Sequence, residues 1–284
     1  MNPCPTCPAG FAYLASNGNL TRQAGQIQLR RRLHNGFTGT VLYTFSKSID
    51  DDSAVGGQGA ALPTQNFGLP AGGGGTPAAL TTISASGAAS PTIAQNWLDL
   101  KAERGLSTFD QRHLLNLQAQ YTTGMGIGGK TLMRGWKGTL FKEWTVLTQI
   151  TVGSGLPESP VYLAAVAGTG VTGTLRPDDT GAPLYAAPAG LFLNPAAYTA
   201  PPAGRWGNAG RDSVTGPAEF SLNASLERTF RLDRWNLDLR VDSTNFLNHA
   251  TFTSWDTTIN STQFGLPIAA NAMRNLQATM RLRF

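Results

Sequence analysis

Charged residues are scarce in this chain, and features that mark several common protein classes are missing. Asp, Glu, Lys and Arg make up 14% of the 284 residues, against about 25% in ordinary soluble domains. No apolar run reaches the roughly 18 residues that indicate a transmembrane helix. The net charge of +5 comes from scattered basic residues rather than an aromatic-laced basic patch, so no nucleic-acid partner is expected.

Cysteine is almost absent as well, with Cys4 and Cys7 set among prolines near the start. Without a second cysteine pair or a nearby histidine they make a poor zinc site, and without a βαβ context they make a poor redox motif. Two interpretations stay open, a small loop disulfide formed in an oxidising compartment or two free thiols. We expect no metal and no other cofactor.

What the chain does have is regular alternation, which is clearest at its carboxy terminus. In residues 275–284 every second side chain is apolar: Leu276, Ala278, Met280, Leu282 and Phe284. This period predicts a strand with one apolar face, and the length fits the about 9 to 11 residues of a tilted membrane-spanning strand. Taken alone, it also fits an edge strand of a soluble sandwich.

The same alternation recurs earlier, in segments that predict hairpins. The predicted hairpins are residues 22–48, 109–152 and 218–248, and the terminal strand is 273–284. The intervening segments, 1–21, 49–108, 153–217 and 249–272, are rich in Gly, Pro, Ser and Asn and predict loops.

Short and long connections alternate along the chain, and this alternation decides between a membrane-spanning barrel and a soluble sandwich. In outer-membrane barrels short turns face the periplasm and long loops face the exterior, whereas a soluble sandwich has no reason to sort its connections. The sequence therefore predicts an all-β, antiparallel transmembrane β-barrel in the outer membrane of a Gram-negative-type cell, in contact with lipid.

The amino terminus does not match that location. Residues 1–5 have neither the basic segment nor the apolar core of a secretion signal. We therefore expect the sequence to be the carboxy-terminal part of a longer protein.

Charged side chains on the polar strand faces are candidates for lining the lumen of the barrel. They are Arg30, Arg32, Glu143, Glu227, Arg231, Asp238, Arg240, Asp242, Arg281 and Arg283. Such a lining would hydrogen-bond a plug or a passing polar solute, although neighbouring strands can equally satisfy these charges among themselves. Arg31, Lys142 and Arg228 fall on apolar faces, where they would need to lie at a rim and snorkel.

Two groups resemble chemical sites without meeting their requirements. Residues 50–52 are three consecutive aspartates that lack the spaced ligands of a calcium loop, so a solvated acidic segment is the simpler interpretation. Ser107, Asp110 and His113 would need a triad geometry that spacing alone cannot supply. We expect no enzyme activity.

A series of short motifs, in order, resembles the carboxy-terminal barrel of Oar-like TonB-dependent receptors. The motifs are Ser16 to Asn19, Gln28 to Arg32, Tyr43 to Asp51, Glu103 to Ser107, Phe109 to His113, Trp206 to Arg211 and Asn245 to His249. The resemblance covers almost the whole chain and implies a barrel of about 22 strands around an internal plug. This chain would supply about seven strands and leave two open edges.

The resemblance also implies a function and partners. The function would be energised uptake or surface handling of a substrate, driven by the TonB complex through a plug and further strands that this sequence lacks. Leu276, Met280, Leu282 and Phe284 would form the terminal signal read by the barrel-assembly machinery. The alternative is a small standalone barrel that acts as an adhesin or passive pore.

Overall fold

The structure, a computed structural model, describes residues 18–51, 99–125, 134–164, 166–169, 174–232 and 235–283. It is all-β, with 51% strand and 7% helix. The strands are β1 (Leu20–His34), β2 (Phe37–Asp50), β3 (Gly105–Leu106), β4 (His113–Thr122), β5 (Thr145–Gly153), β6 (Pro157–Glu158), β7 (Tyr162–Leu163), β8 (Thr174–Leu175), β9 (Asp178–Asp179), β10 (Tyr198–Thr199), β11 (Val214–Thr215), β12 (Glu219–Leu232), β13 (Trp235–Thr244), β14 (Phe252–Trp255), β15 (Pro267–Ala270) and β16 (Asn275–Arg283). The helices are α1 (Gly135–Phe141) and the 3₁₀ turns Leu100–Glu103 and Pro195–Ala197.

Seven long strands form one antiparallel wall in the order β1-β2-β4-β5-β12-β13-β16, with β3 paired to the end of β2. The register between β13 and β16 runs without a shift from Asn236 opposite Arg283 to Thr244 opposite Asn275. Within the described residues the sheet does not close, so β1 and β16 are its edges. The predicted fold class is confirmed.

The two ends of the wall differ in their connections. At one end, Asn35 and Gly36 join β1 to β2 with φ of 53° and 77°, the positive values that an Asn-Gly hairpin turn requires. At the other end the wall strands are joined by residues 51–112, 154–218 and 245–274. These are the periplasmic and extracellular ends respectively, in the arrangement of outer-membrane barrels.

One periplasmic connection departs from the prediction. Within the predicted hairpin of residues 109–152, the alternation of residues 140–152 predicts a second strand that begins at Leu140, but residues 135–141 form α1 and β5 begins only at Thr145. Trp136 and Leu140 are spaced by four, as on one helix face, and this local period competed with the alternation that continues into β5. The strand prediction for residues 140–144 is therefore wrong.

Burial across the wall is the reverse of that in a soluble protein. Thr44, Ser46 and Ser48 point to the inner face and are at most 7% exposed. On the outer face of strands inside the wall, Leu226 and Val241 are 38% and 44% exposed. A polar inner face and an exposed apolar outer face are what a bilayer demands of a barrel.

A buried apolar cluster of the described residues lies in the extracellular loops rather than under the wall. Leu193, Val214 and Phe264 are nearly fully buried, and Tyr198 and Trp255 pack against them. We call the described residues of the three long connections, 99–112, 154–218 and 245–274, the loop cap. Because the loop cap has its own core, it is a folded unit that sits on the extracellular end of the wall. No helix in the described part of the chain is long and apolar enough to span a membrane.

Candidate functional site

Arg211 is the centre of a buried ionic network where the loop cap meets the wall. Its Nη2 donates to the carboxylate and, at 2.6 Å, to the carbonyl oxygen of Asp50. Its Nη1 donates to Asp212 at 3.0 Å and its Nε to the carbonyl of Glu103 at 2.8 Å. Asp50 is only 1% exposed, so the prediction of a solvated acidic segment is wrong for this residue. One guanidinium thus ties the end of β2 to two long connections.

A second arginine strengthens the same junction. Arg176 donates two hydrogen bonds, of 2.5 and 3.0 Å, to the buried carboxylate of Glu103. Next to it the chain passes so closely that a Cβ on Gly207 would lie 2.0 Å from the Arg176 carbonyl oxygen. Asn208 then donates its amide to Asp178 at 2.9 Å. Only glycine permits this approach, which explains its place beside the hydrogen-bonding asparagine.

The three residues that suggested a hydrolase triad are not assembled as one. Asp110 accepts the amide of Ser48 at 2.5 Å, and His113 Nδ1 lies 2.8 Å from the hydroxyl of Tyr43. Ser107 is fully buried and hydrogen-bonds through its backbone amide to Ser48. These contacts tie the rim of the wall together. That the chain is not an enzyme stays a prediction.

Two carboxyl groups of the loop cap have raised pKa values. Burial raises the pKa of Glu158 to about 7, and the amide of Trp255, 3.2 Å from both carboxyl oxygens, acts in the opposite direction. Burial likewise raises the pKa of Asp212, against the hydroxyl of Ser159, which donates to it at 2.7 Å, and the charge of Arg211. Protonation therefore affects the contact of Glu158 between the second and third long connections and the contacts of Asp212 within the second.

A partly exposed aromatic patch lies beside Glu158. Phe192 stacks on Trp255 with ring centroids 4.4 Å apart, and Phe252 lies 5.9 Å from Phe192 and 6.0 Å from Trp255. Phe192 is 46% exposed. Exposed aromatic faces offer an apolar contact surface for a ligand or partner.

The inner face at the other end of the wall carries paired charges. Arg283 Nη2 donates to Asp238 at 2.8 Å, and the hydroxyl of Thr229 donates to the same oxygen at 2.7 Å. On β13, the Nε of Arg240 contacts both oxygens of Asp242, at 2.9 and 2.8 Å. These side chains satisfy one another and still leave a hydrophilic surface.

The remaining lumen candidates divide by position. Glu227 lies opposite Arg240, Arg231 opposite Asn236, and Arg281 opposite Asp238, all on the charged inner face. Arg30 lies opposite Thr40 on edge strand β1, and Arg32 is an exposed residue of the same strand. Glu143 is not on a strand, since it is exposed and has a φ of 61° in the turn before β5. The prediction that it shares a strand face is wrong, because β5 begins two residues later.

The comparison with protein families decides the identity of this architecture. The family model described as an outer membrane beta barrel domain matches residues 1–277. The chain belongs to this family. No curated protein and no solved structure matches it.

As an outer membrane beta barrel domain, the chain is located in the Gram-negative outer membrane. Its last described strand presents Leu276, Met280 and Leu282 with exposures of 61%, 74% and 51%. Their role as an assembly signal stays a prediction. Phe284 lies outside the described residues, as do Cys4 and Cys7.

Sequence reasoning missed the ionic network of this barrel domain. Its residues Asp50, Glu103 and Arg211 come from three of the short motifs that resemble the Oar-like receptors, so the motif positions were the available signal. Within the described residues, no group of three or more His, Cys, Asp or Glu side chains could hold a metal ion.

Proposed function

We propose that the chain forms part of the wall and the surface loops of a TonB-dependent outer-membrane receptor that takes up or handles a substrate at the cell surface. The motifs that resemble the Oar-like receptors support this. Three of them contribute Asp50, Glu103 and Arg211 to a single buried junction, and a fourth contributes Asp110, which accepts the amide of Ser48 on the same strand as Asp50. The motifs that carry the resemblance thus include residues that fix the long connections to the wall.

The two open edges of the wall are the observation on which the proposal chiefly rests. In a bilayer each unpaired backbone group costs several kcal/mol, so the outer edges of β1 and β16 need partner strands. The described residues also form an odd number of wall strands, seven, whereas bacterial single-chain barrels have even numbers. Further strands of the same protein would satisfy both requirements. A barrel of about 22 strands would be wide enough to hold a plug.

The proposed roles of the two ends follow from their chemistry. The folded loop cap holds the aromatic patch of Phe192, Phe252 and Trp255 toward the exterior, where a substrate would first bind. The paired charges of Asp238, Arg240, Asp242 and Arg283 would line the passage without binding a polar solute tightly, because each already has a partner. The plug would couple this passage to the TonB complex.

The test is the covalent identity and coupling of the protein in native outer membranes. An antibody against the loop cap isolates the protein, mass spectrometry maps its peptides, and cross-linking with and without a TonB deletion follows the coupling. We expect one polypeptide far larger than 30.1 kDa, containing plug peptides and giving a TonB-dependent cross-link. A membrane-inserted species of 30.1 kDa without that cross-link would refute the proposal and leave a standalone adhesin or pore.

A further inference from the structure

Helix α1 is an exposed apolar element at the periplasmic end of the wall, between β4 and β5. Trp136, Leu140 and Phe141 are 69%, 50% and 48% exposed, and within the helix only Gly138 is buried. Three large apolar side chains on seven residues are costly in water. The exposed side chains of the helix therefore require an apolar environment that the described part of the chain does not provide.

Arg228 fixes this helix to the outer face of the wall. It alternates with Leu226 and Phe230 along β12, on the apolar side, yet it is only 5% exposed. Both of its Nη atoms donate to carbonyl oxygens at the end of α1, those of Thr139 and Leu140. Because the two carbonyl oxygens accept hydrogen bonds from its guanidinium, Arg228 can lie on the lipid-facing side without reaching into solvent.

Aromatic rings complete the attachment. The Arg228 guanidinium lies 4.2 Å from the ring centroid of Phe230 and 5.4 Å from that of Trp144. Trp144 in turn donates its Nε1–H to the Leu140 carbonyl at 2.9 Å. The helix is thus held outside the barrel, directly below the exposed outer-face residues Val146 and Leu226, and continues their apolar surface.

Positive charge surrounds these apolar side chains. Arg134 and Lys137 are exposed and Lys142 is half-buried, while Glu143 is the one acidic residue between positions 134 and 144. The Nζ of Lys137 lies 5.9 Å from the ring centroid of Trp136. Tryptophan and basic residues side by side on a short helix are typical of segments that lie in the headgroup region of a membrane.

We propose that residues 134–144 are an interfacial anchor that inserts Trp136, Leu140 and Phe141 into the periplasmic leaflet and binds the phosphates of anionic phospholipids through Arg134, Lys137 and Lys142. The lipid leaflet is the occupant because the exposed apolar surface is continuous with the lipid-facing wall and its rim is basic. The anchor depends on the barrel fold and not on coupling to TonB, so the two proposals fail independently.

The experiment places the photo-cross-linking residue p-benzoylphenylalanine at position 136 of the full chain, in cells whose phospholipids carry radioactive phosphate. Ile150, on the outer face of β5, is the positive control position, and Tyr185, exposed in the loop cap, is the negative one. We expect labelled phospholipid on the protein at positions 136 and 150 but not at 185. Cross-links from position 136 to protein, or none to lipid while position 150 is labelled, would overturn the anchor.

The headgroup preference is measured as the ratio of phosphatidylglycerol to phosphatidylethanolamine recovered at position 136. We expect this ratio to exceed that at position 150, and the double variant K137Q/K142Q to lower it about tenfold. The matched variant K101Q/R205Q removes two exposed basic residues from the loop cap and should leave the ratio unchanged. Equal ratios at positions 136 and 150 in the unaltered chain would refute anionic-lipid binding.

Discussion

Replacing Arg211 by alanine tests whether the ionic network holds the loop cap to the wall. The substitution removes a guanidinium that contacts Asp50, Asp212 and the carbonyl of Glu103. Asp50 and Asp212 stay behind at 1% and 4% exposure. Breaking a buried ion pair by deleting one partner costs about 3–5 kcal/mol. We expect the free energy of opening the loop cap to fall by about that amount.

Hydrogen exchange measured by mass spectrometry gives this free energy for each segment. Since about 1.4 kcal/mol corresponds to a tenfold change, peptides that span residues 205–216 should exchange about 10² to 4 × 10³ times faster in R211A. Peptides from β5 should not change, because the wall does not depend on the network. Lysine keeps the charge but loses the fork of donors, so R211K should lie between alanine and the unaltered chain.

Arg205 supplies the matched control, since it lies in the same connection and is exposed. Surface substitutions of this kind usually change stability by less than about 0.5 kcal/mol, so R205A should behave like the unaltered protein. If R211A exchanged no faster than R205A, the network would contribute nothing to the stability of the loop cap, and the reasoning would be refuted.

Three further predictions concern other parts of the molecule. Because burial raises the pKa of Glu158 to about 7, the folded loop cap binds a proton that the unfolded chain releases above about pH 4.5. Its melting temperature, followed by fluorescence, should therefore fall as pH rises from 5 to 8. The fall should be smaller in E158Q, where Asp212, whose pKa is also raised by burial, remains. An arginine in place of Ile150 on the outer face should lower the free energy of unfolding of the barrel in vesicles by about 2–4 kcal/mol, measured by urea titration. Q149R on the inner face should change this free energy little. Equal losses of stability in the two variants would contradict the assignment of faces. Asn245 has a φ of 47°. Its side chain donates to the carbonyl oxygens of His249 and Ala272 and accepts the amide of His249. N245G should therefore lose stability through these side-chain bonds and N245A by about 1 kcal/mol more, a difference that thermal unfolding of the two variants measures.

The wall was predictable because its turns and strands are specified by residues close together in the sequence. The Asn35-Gly36 turn and the alternation in β16 each depend on neighbours in sequence, and polar-in, apolar-out patterning repeats within every long strand. Helix α1 was missed because residues 136–146 fit two periods at once. The apolar residues Leu140, Trp144 and Val146 fit the alternation of a strand, whereas the spacing of four between Trp136 and Leu140 fits one face of a helix. Only the contacts with Arg228, on the neighbouring strand β12 but 88 positions from Leu140 in the sequence, decide which period is adopted.

The ionic network was not predictable in the same way. Asp50 lies in a run of aspartates, where solvation is the ordinary outcome, and its partner Arg211 is 161 positions away. Nothing in the local pattern around either residue indicates the other. The motif positions marked these residues as special without showing that they meet, because pairing across long loops is decided by how the loops fold over the rim.

That separation of 161 positions between Asp50 and Arg211 also sets an order of events during assembly. Closing so long a loop is entropically unfavourable until β4 and β5, which lie between the two residues in the sequence, have paired with β2 and β12 and brought the strand ends together. The ion pairs can then form only as a late step, after the wall has registered. Arg211 therefore stabilises the barrel domain only after the neighbouring strands have paired, and it contributes little to the rate of strand pairing.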